Sequence, residues 1–221
     1  MPNHVTIQMT VSGPKEVLDL FIASHIIPIP EEKQSAWSGS EYFDFNTIVP
    51  SPASMHSKND SIKSFVERSK WSDEKRAEFD REEELRAKRN VEKYGYSGWY
   101  DWNCANWGTK WNSYDNHINA DYGNAGGNEG CIDIGFQTAW SLPEPIFMEL
   151  TELYPELTFE VSCIEEGGFF YGTAVYANGE ADTSGIGTDS EGWTQYGVNE
   201  FGWDWLLEDD EDDEYSKELF S

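Results

Sequence analysis

Near the amino terminus, apolar and polar residues alternate, and this pattern predicts a half-buried strand over residues 5–11. Behind Pro14, apolar residues recur at helical spacing as far as His25, which predicts a helix because proline favours the first helical turn. The same order of elements returns later, with a strand over 132–140, a helix and a strand over 157–163. This pattern indicates an α+β fold.

Three further segments are predicted to be strands. They lie over 42–48, over 116–122 and, behind a Gly167-Gly168 hairpin turn, over 169–177. The order strand, helix, strand, interruption, strand, helix, strand predicts a ferredoxin-like split βαβ core, which is an antiparallel sheet with two helices. The predicted division of the chain is residues 1–53 and 98–180 for this core, 54–97 for a charged helical insertion and 181–221 for an acidic C-terminal extension.

The insertion is predicted to contain one long, largely exposed helix. Ser72 is typical of a helix N-cap, and Gly95 is typical of the left-handed residue that ends a helix. Two ion pairs are expected at a spacing of four residues, Glu82 with Arg86 and Glu84 with Lys88. Because the apolar stripe of this helix is thin, we expect it to protrude and to be available to a partner or a second copy of the chain.

The formal net charge of −27 is distributed unevenly. Residues 58–93 hold eleven of the fifteen Lys and Arg residues together with ten acids, so nearly all of the net charge lies outside them. Because phosphates are bound by cations, this charge argues against direct binding to nucleic acid or to a phospholipid surface. It favours a partner protein with a basic surface, including surfaces that normally hold DNA or RNA. Solubility alone or a halophilic host would also account for the charge.

The compartment is expected to be the cytoplasm. Cys104, Cys131 and Cys163 are odd in number and widely spaced, which argues against a disulfide framework and for a reducing environment. No apolar run approaches the roughly 20 residues of a membrane span. The first residues do not show the basic and then apolar pattern of an export signal.

A tryptophan-rich segment is the most distinctive feature of the chain. Trp99, Trp102, Trp107 and Trp111 lie within thirteen residues. Each buried tryptophan removes about 150–250 Å² from water, so we expect the segment to anchor the core. Its polar members Asn106, Thr109 and Lys110 have two interpretations. They form a ligand-facing cluster in which Lys110 contacts an anion, or, as we favour, Asn106 and Thr109 bond the backbone of a tight turn while Lys110 is solvated.

These residues and several flanking motifs resemble a known family. The motifs, in chain order, are Met1-Pro2-Asn3, Val11-Ser12-Gly13-Pro14, Trp99-Tyr100-Asp101-Trp102, Asn106-Trp107-Gly108-Thr109-Lys110-Trp111, Phe136, Thr138-Ala139-Trp140 and Pro143-Glu144-Pro145. Over about residues 1–180 the chain resembles the YubB-type ferredoxin-like domain family, whose members are carried by bacteriophages and conjugative plasmids. The resemblance implies this fold and a mobile-element origin, but no mechanism, since the family has no established general activity. The insertion and the acidic extension depart from the family pattern.

No catalytic or metal-binding pattern is recognisable in the sequence. The four histidines, His4, His25, His56 and His117, and the three cysteines lack the spacing of metal ligands. Gly185-Ile186-Gly187 lacks the third glycine of a phosphate-binding loop, and no helix is predicted to follow it. We therefore expect no metal, no cofactor and no enzymatic activity.

The acidic C-terminal segment is the leading candidate for a functional site. Its candidate partner-binding residues are Trp203, Asp204, Trp205, Glu208, Asp209, Asp210, Glu211, Asp212, Asp213 and Glu214. We hypothesise that the acids enter a basic groove as a nucleic-acid mimic, while the aromatic residues and the adjoining Leu206 and Leu207 supply desolvated contacts. The predicted function is that of a phage or plasmid accessory protein that binds and inhibits a host protein, with a nucleic-acid-dependent defence complex as the target class.

Other interpretations remain open. The acidic run is alternatively a solvated appendage without a target. The protein is alternatively a small-ligand or nucleotide-binding module, or an enzyme, centred on the tryptophan motif. It is alternatively a structural component of a phage.

Overall fold

The computed structural model of this chain describes residues 3–31, 40–57, 66–119 and 128–207. The acidic run Glu208–Glu214 lies outside these residues, as does the end of the strand expected over 116–122. The strands are β1 (His4–Pro14), β2 (Ile26–Pro28), β3 (Glu41–Phe43), β4 (Tyr114–Asn119), β5 (Glu129–Ala139), β6 (Thr158–Glu165), β7 (Tyr171–Ala177) and β8 (Glu180–Gly187). The helices of eight or more residues are α1 (Lys15–His25), α2 (Asp73–Tyr94), α3 (Trp99–Asn106), α4 (Glu144–Leu153) and α5 (Ser190–Phe201).

Six strands form one antiparallel sheet in the order β4-β5-β1-β6-β7-β8. Strand β1 lies between β5 and β6, with Ile7 opposite Phe136 on one side and Cys163 on the other. Helix α1 connects β1 to the segment that leads to β4, and α4 connects β5 to β6. The order β4-β5-β1-β6 with these two crossover helices is the ferredoxin-like arrangement, so the predicted α+β fold is confirmed.

The prediction of a strand over 42–48 is wrong for most of that segment. Only Glu41–Phe43 is extended, and it pairs with β2 in a separate two-stranded ribbon. The Asp44 carboxylate accepts the Asn46 backbone N–H at 2.9 Å and starts a 3₁₀ turn over Phe45–Thr47. This side-chain bond to the local backbone competes with a strand ladder. The second strand of the ferredoxin-like core is therefore β4.

The hydrophobic core lies between the sheet and the two crossover helices. The inward residues of β1, β5 and β6 alternate as predicted, and Ile7, Phe136 and Phe159 are buried. Phe21 of α1 and Phe147 of α4 are fully buried against them. Each such side chain contributes about 1.5–3 kcal/mol by leaving water, so this layer dominates the stability of the fold.

Helix α2 of the insertion is mostly exposed, and it begins and ends where the sequence predicts. Ser72 accepts the Lys75 backbone N–H, and Gly95 adopts the left-handed conformation with φ 84°. Lys88 pairs with Glu84 at 2.7 Å as expected. Arg86 pairs with Glu83 instead of Glu82, because its guanidinium also donates to the carbonyl groups of residues 54 and 55, which attach the helix to the core.

The sheet continues past residue 180, where the apolar pattern of the sequence weakens. Strand β8 pairs with β7, and α5 then crosses the sheet face opposite α1 and α4. The indole of Trp193 in α5 donates to the Glu165 carbonyl at 2.8 Å, and the Tyr196 hydroxyl donates to the Gly172 carbonyl at 3.0 Å. The expectation that no helix follows Gly187 is wrong. The division into core, insertion and extension stays a prediction.

Within the described ranges, no helix is both long and apolar enough to cross a lipid bilayer.

Candidate functional site

The tryptophan motif divides into buried and exposed rings. Trp102 and Trp107 belong to the core, where their ring centroids lie 5.8 Å apart in edge-to-face geometry. The Trp107 indole donates to the Val49 carbonyl at 2.8 Å, and its ring also contacts Phe45. These two tryptophans position the motif against the sheet, as the sequence analysis expects of an aromatic anchor.

The polar residues of the motif bond backbone groups. Asn106 at the end of α3 donates through Nδ2 to the Trp102 carbonyl at 2.8 Å. Thr109 is fully buried and exchanges two hydrogen bonds with Ala139, since its hydroxyl donates to the Ala139 carbonyl at 2.8 Å and accepts the Ala139 N–H at 3.1 Å. This pair connects the loop after α3 to the last residue of β5.

Additional hydrogen bonds fix the loop after α3 and the loop after β5. The Ser141 hydroxyl donates to the Gly108 carbonyl at 2.5 Å, and the Thr138 hydroxyl donates to the Ser141 carbonyl at 2.8 Å. The Tyr114 hydroxyl donates to the Thr138 carbonyl at 2.9 Å. Gly108 has φ 78°, and a side chain there would meet Pro145, so this tight approach of the loops needs glycine.

The two connected loops and helix α3 place three aromatic rings around one lysine. The Lys110 Nζ lies 4.7 Å from the centroid of the Trp111 ring, 4.8 Å from that of Trp140 and 5.8 Å from that of Tyr100. We call these three rings the Lys110 cage. The rings are partly open to solvent, with exposed fractions of 37% for Trp111, 42% for Trp140 and 42% for Tyr100. The arrangement suits an ammonium group, because the negative face of an aromatic ring attracts a cation.

Trp140 has an unusual backbone for a large side chain. Its φ is 74°, in the left-handed region, and its N–H donates to the Asn3 carbonyl at 3.0 Å. A non-glycine residue in this region costs on the order of 1–2 kcal/mol and persists only where its surroundings hold it. The hydrogen-bonded loops supply those surroundings.

The cysteine thiols do not have the environment of a nucleophile. Burial, with a contribution from the Asp101 carboxylate, raises the pKa of Cys104, which lies beside the cage. Burial raises the pKa of Cys163 to about 12. A reactive thiol has a lowered pKa, so neither residue shows this activation. In the parts of the chain that the structure describes, no group of three or more His, Cys, Asp or Glu residues is arranged to hold a metal ion.

The C-terminal candidates form a second surface. Trp203 contacts the Trp193 ring edge-to-face, with centroids 6.2 Å apart, and the tilted Trp205 ring, with centroids 5.7 Å apart. Asp204 is exposed in the short turn that follows α5. Trp205 is 51% exposed and Leu207 is 57% exposed. We call Trp205 and Leu207 the apolar anchors. The candidate acids Glu208–Glu214 continue directly from Leu207 in the sequence but lie outside the described residues.

Sequence reasoning named most of these residues but missed one feature. Tyr100 belongs to the matching motif, yet nothing in the sequence places its ring beside Lys110 and Trp140.

Three comparisons with known proteins bear on identity. No curated protein matches the chain. A crystal structure of the protein api92 from Yersinia pseudotuberculosis matches with a TM-score of 0.43 and 10% sequence identity, over 86% of this chain and 98% of that one. A family model described as the ferredoxin-like domain in Api92-like protein matches residues 107–217. These residues include the end of the tryptophan motif, β4 to β8 and α5, and they are half of the 221 residues. The chain therefore belongs to the family of proteins that carry the ferredoxin-like domain of Api92-like proteins.

Proposed function

We propose that this protein is an accessory protein of a bacteriophage or conjugative plasmid that binds and inhibits a host protein in the host cytoplasm. The target has a basic surface, and we place it in the class of nucleic-acid-dependent defence complexes. The mobile-element origin rests on the resemblance of the motifs to the YubB-type family. The basic target rests on the net charge of −27.

The observation that carries the proposal is the position of the apolar anchors. Trp205 and Leu207 are both more than half exposed, and seven consecutive acids follow them in the chain. In protein interfaces, a few well-packed aromatic or aliphatic side chains provide most of the affinity, while surrounding charges increase the association rate and select the partner. An apolar contact directly beside a dense anionic segment fits a basic groove with an apolar floor.

The same charge argues against nucleic acid as the direct ligand. DNA carries one negative charge per about 1.7 Å of helix axis, so binding it requires a surface rich in cations. The cations of this chain are concentrated in residues 58–93, where acids balance them. The protein resembles the polymer in charge and competes with it for a basic surface. A contact between two copies of the chain through the insertion stays a prediction.

The test is capture of host proteins from a bacterial lysate at low and high salt. We expect a stoichiometric partner whose capture falls as salt rises, and falls further when the acids of Glu208–Glu214 are replaced by their amides. Leu207→Ala weakens capture, whereas Leu153→Ala, at a leucine 49% exposed in α4, serves as the matched control and leaves it unchanged. Capture that is indifferent to salt and to the amide substitutions would contradict the proposal.

A further inference from the structure

We infer that the Lys110 cage is a binding site for an organic ammonium group from outside the chain. In the free protein Lys110 fills the cage itself, and an external ammonium displaces it. The external group is a quaternary ammonium, carried either by a trimethylated lysine side chain of a protein or by a small compound. This inference does not depend on the proposed function, since it concerns a different surface.

The first argument is the number of rings. Lys75 lies over the single ring of Trp71 at 4.5 Å, and Lys93 lies over the single ring of Tyr94 at 4.8 Å. Such contacts arise on any helix surface where a long cationic side chain lies over a neighbouring ring. Lys110 instead has three rings within about 6 Å, the range in which a cation–π interaction is effective. Several rings around one cation are the arrangement that recognises quaternary ammonium ligands.

The second argument is that the rings are held in place. Trp111 and Trp140 belong to different loops, and Thr109 and Ser141 connect these loops through the hydrogen bonds to Ala139 and Gly108. The Trp140 backbone stays in the left-handed region while its ring remains partly exposed. Because the loops that carry the two rings are already connected, a ligand meets a lower entropic cost of ordering the site.

The third argument is the negative net charge of the chain. An anion at this position would contact Lys110 but would also meet the field of a chain with net charge −27. That field attracts cations from solution. The faces of the three rings also attract a cation and offer no donor to an anion. Both effects favour an ammonium ligand over a nucleotide or a phosphate.

The need to displace Lys110 determines how much its removal should increase the affinity for an external ammonium. An external ligand binds only the fraction of molecules in which Lys110 has left the cage. If Lys110 fills the cage about nine-tenths of the time, its removal tightens external binding about tenfold, because apparent affinity scales with the competent fraction. Lys110→Gln therefore opens the site. Lys75→Gln removes the same charge beside the single Trp71 ring and is the matched control.

The experiment measures choline binding by calorimetry and by NMR of the tryptophan indole N–H groups. The uncharged probe is 3,3-dimethyl-1-butanol, which has the shape of choline without its charge. We expect choline to bind the Lys110→Gln protein about tenfold more tightly than the unchanged protein, with shifts at the Trp111 and Trp140 indoles. The neutral alcohol and the Lys75→Gln protein show no such gain.

Three results would overturn the inference. The first is equal affinity of the Lys110→Gln protein for choline and for the alcohol. The second is an equal gain in choline affinity from Lys75→Gln. The third is choline binding that persists when Trp111→Leu is added to Lys110→Gln, with the fold shown intact by circular dichroism. Two further probes identify the source of the ammonium. Tighter binding of acetyl-trimethyllysine methylamide than of choline assigns the site to a protein side chain, and the reverse order assigns it to a small compound.

Discussion

Acidification from pH 7 to pH 4.5 tests whether the buried His25 imidazole is neutral. The imidazole is only 4% exposed at the end of α1, where it contacts the rings of Phe21 and Tyr154. Burial lowers the pKa of His25 from 6.5 to about 4, and the nearby Asp44 carboxylate opposes this change only in part. A charged imidazolium is therefore poorly accommodated at this position.

The hydrogen bonds determine which nitrogen carries the single proton. The Thr47 hydroxyl donates its proton to the Asp44 carbonyl at 2.6 Å, so toward His25 it can only accept. The Nδ1–H of His25 consequently donates to Thr47 at 2.7 Å. Nε2 is then the acceptor for the Tyr154 hydroxyl at 2.9 Å. A second proton on Nε2 removes this acceptor, so protonation also breaks the bond to Tyr154.

The sign of the effect follows from proton binding in the two states. Between pH 6.5 and pH 4 the unfolded chain binds a proton at His25 and the folded chain does not. The free energy of unfolding therefore decreases as the pH falls through this window. A difference of 2.5 pKa units corresponds to about 3 kcal/mol lost at pH 4 and about 2.5 kcal/mol lost at pH 4.5.

The assay is urea unfolding at pH 7 and pH 4.5 of the unchanged protein, His25→Gln and His117→Gln. Carboxylates titrate in all three proteins, so the informative quantity is the difference between proteins in their loss of unfolding free energy. We expect the unchanged protein to lose about 2.5 kcal/mol more than His25→Gln on acidification. His117→Gln, at a histidine whose side chain is 76% exposed, is the control for removing a histidine outside the core. Equal losses for the unchanged protein and His25→Gln would refute the reasoning.

Three other substitutions test the loops and the insertion. Thr109→Val removes both bonds to the buried Ala139 backbone and should cost about 1–3 kcal/mol in urea unfolding. Thr194→Val, which removes a solvent-exposed bond to the Ser190 carbonyl, should cost less than about 0.5 kcal/mol, and equal costs would contradict the role of Thr109. Gly108→Ala, at φ 78° with its new carbon 2.6 Å from a proline ring, should cost at least about 1–3 kcal/mol in thermal unfolding. Ser72→Ala removes the N-cap of α2 and should speed amide hydrogen exchange in its first turn without lowering the global free energy of unfolding. A decrease in the global free energy of unfolding would contradict this and show that α2 is part of the cooperative core.

The core of the fold could be predicted from the sequence because burial there alternates. In β1 and β5 every second residue enters the same core, so the period of two is visible directly. The segment 42–48 shows the limit of this reasoning. Phe43, Asp44 and Phe45 are all buried, and the carboxylate in the middle bonds the local backbone instead of facing solvent. The apparent alternation of apolar and polar residues in this segment therefore belongs to a turn and not to a strand.

Strand β8 could not be predicted from apolar periodicity. Residues 180–185 are exposed, and the strand is held by its backbone pairing with β7. Backbone hydrogen bonds are available to any sequence, so a strand stabilised in this way leaves no hydrophobic signal. Helix α5 was missed for a related reason, since its Trp193 and Tyr196 side chains bond the sheet by donating to backbone carbonyl groups.

The Lys110 cage depends on contacts between residues that are distant in the chain. Trp140 lies thirty residues after Lys110, and the pairing of β1 with β5 and of β4 with β5 brings the two loops together. The sequence identified the motif, but the pattern alone could not show that Trp102 faces the core while Trp111 faces solvent. That division follows from the direction in which the chain leaves α3.

Thr109 determines that direction and so connects the stability of the fold to the geometry of the cage. Its buried hydroxyl bonds Ala139, so the following residues, Lys110 and Trp111, lie toward solvent. A threonine is small enough to let the two backbones approach within hydrogen-bond distance, and a larger side chain would separate them. Separation would move Trp111 away from Trp140. A substitution at Thr109 should therefore weaken ammonium binding as well as folding, although its side chain contacts no ligand.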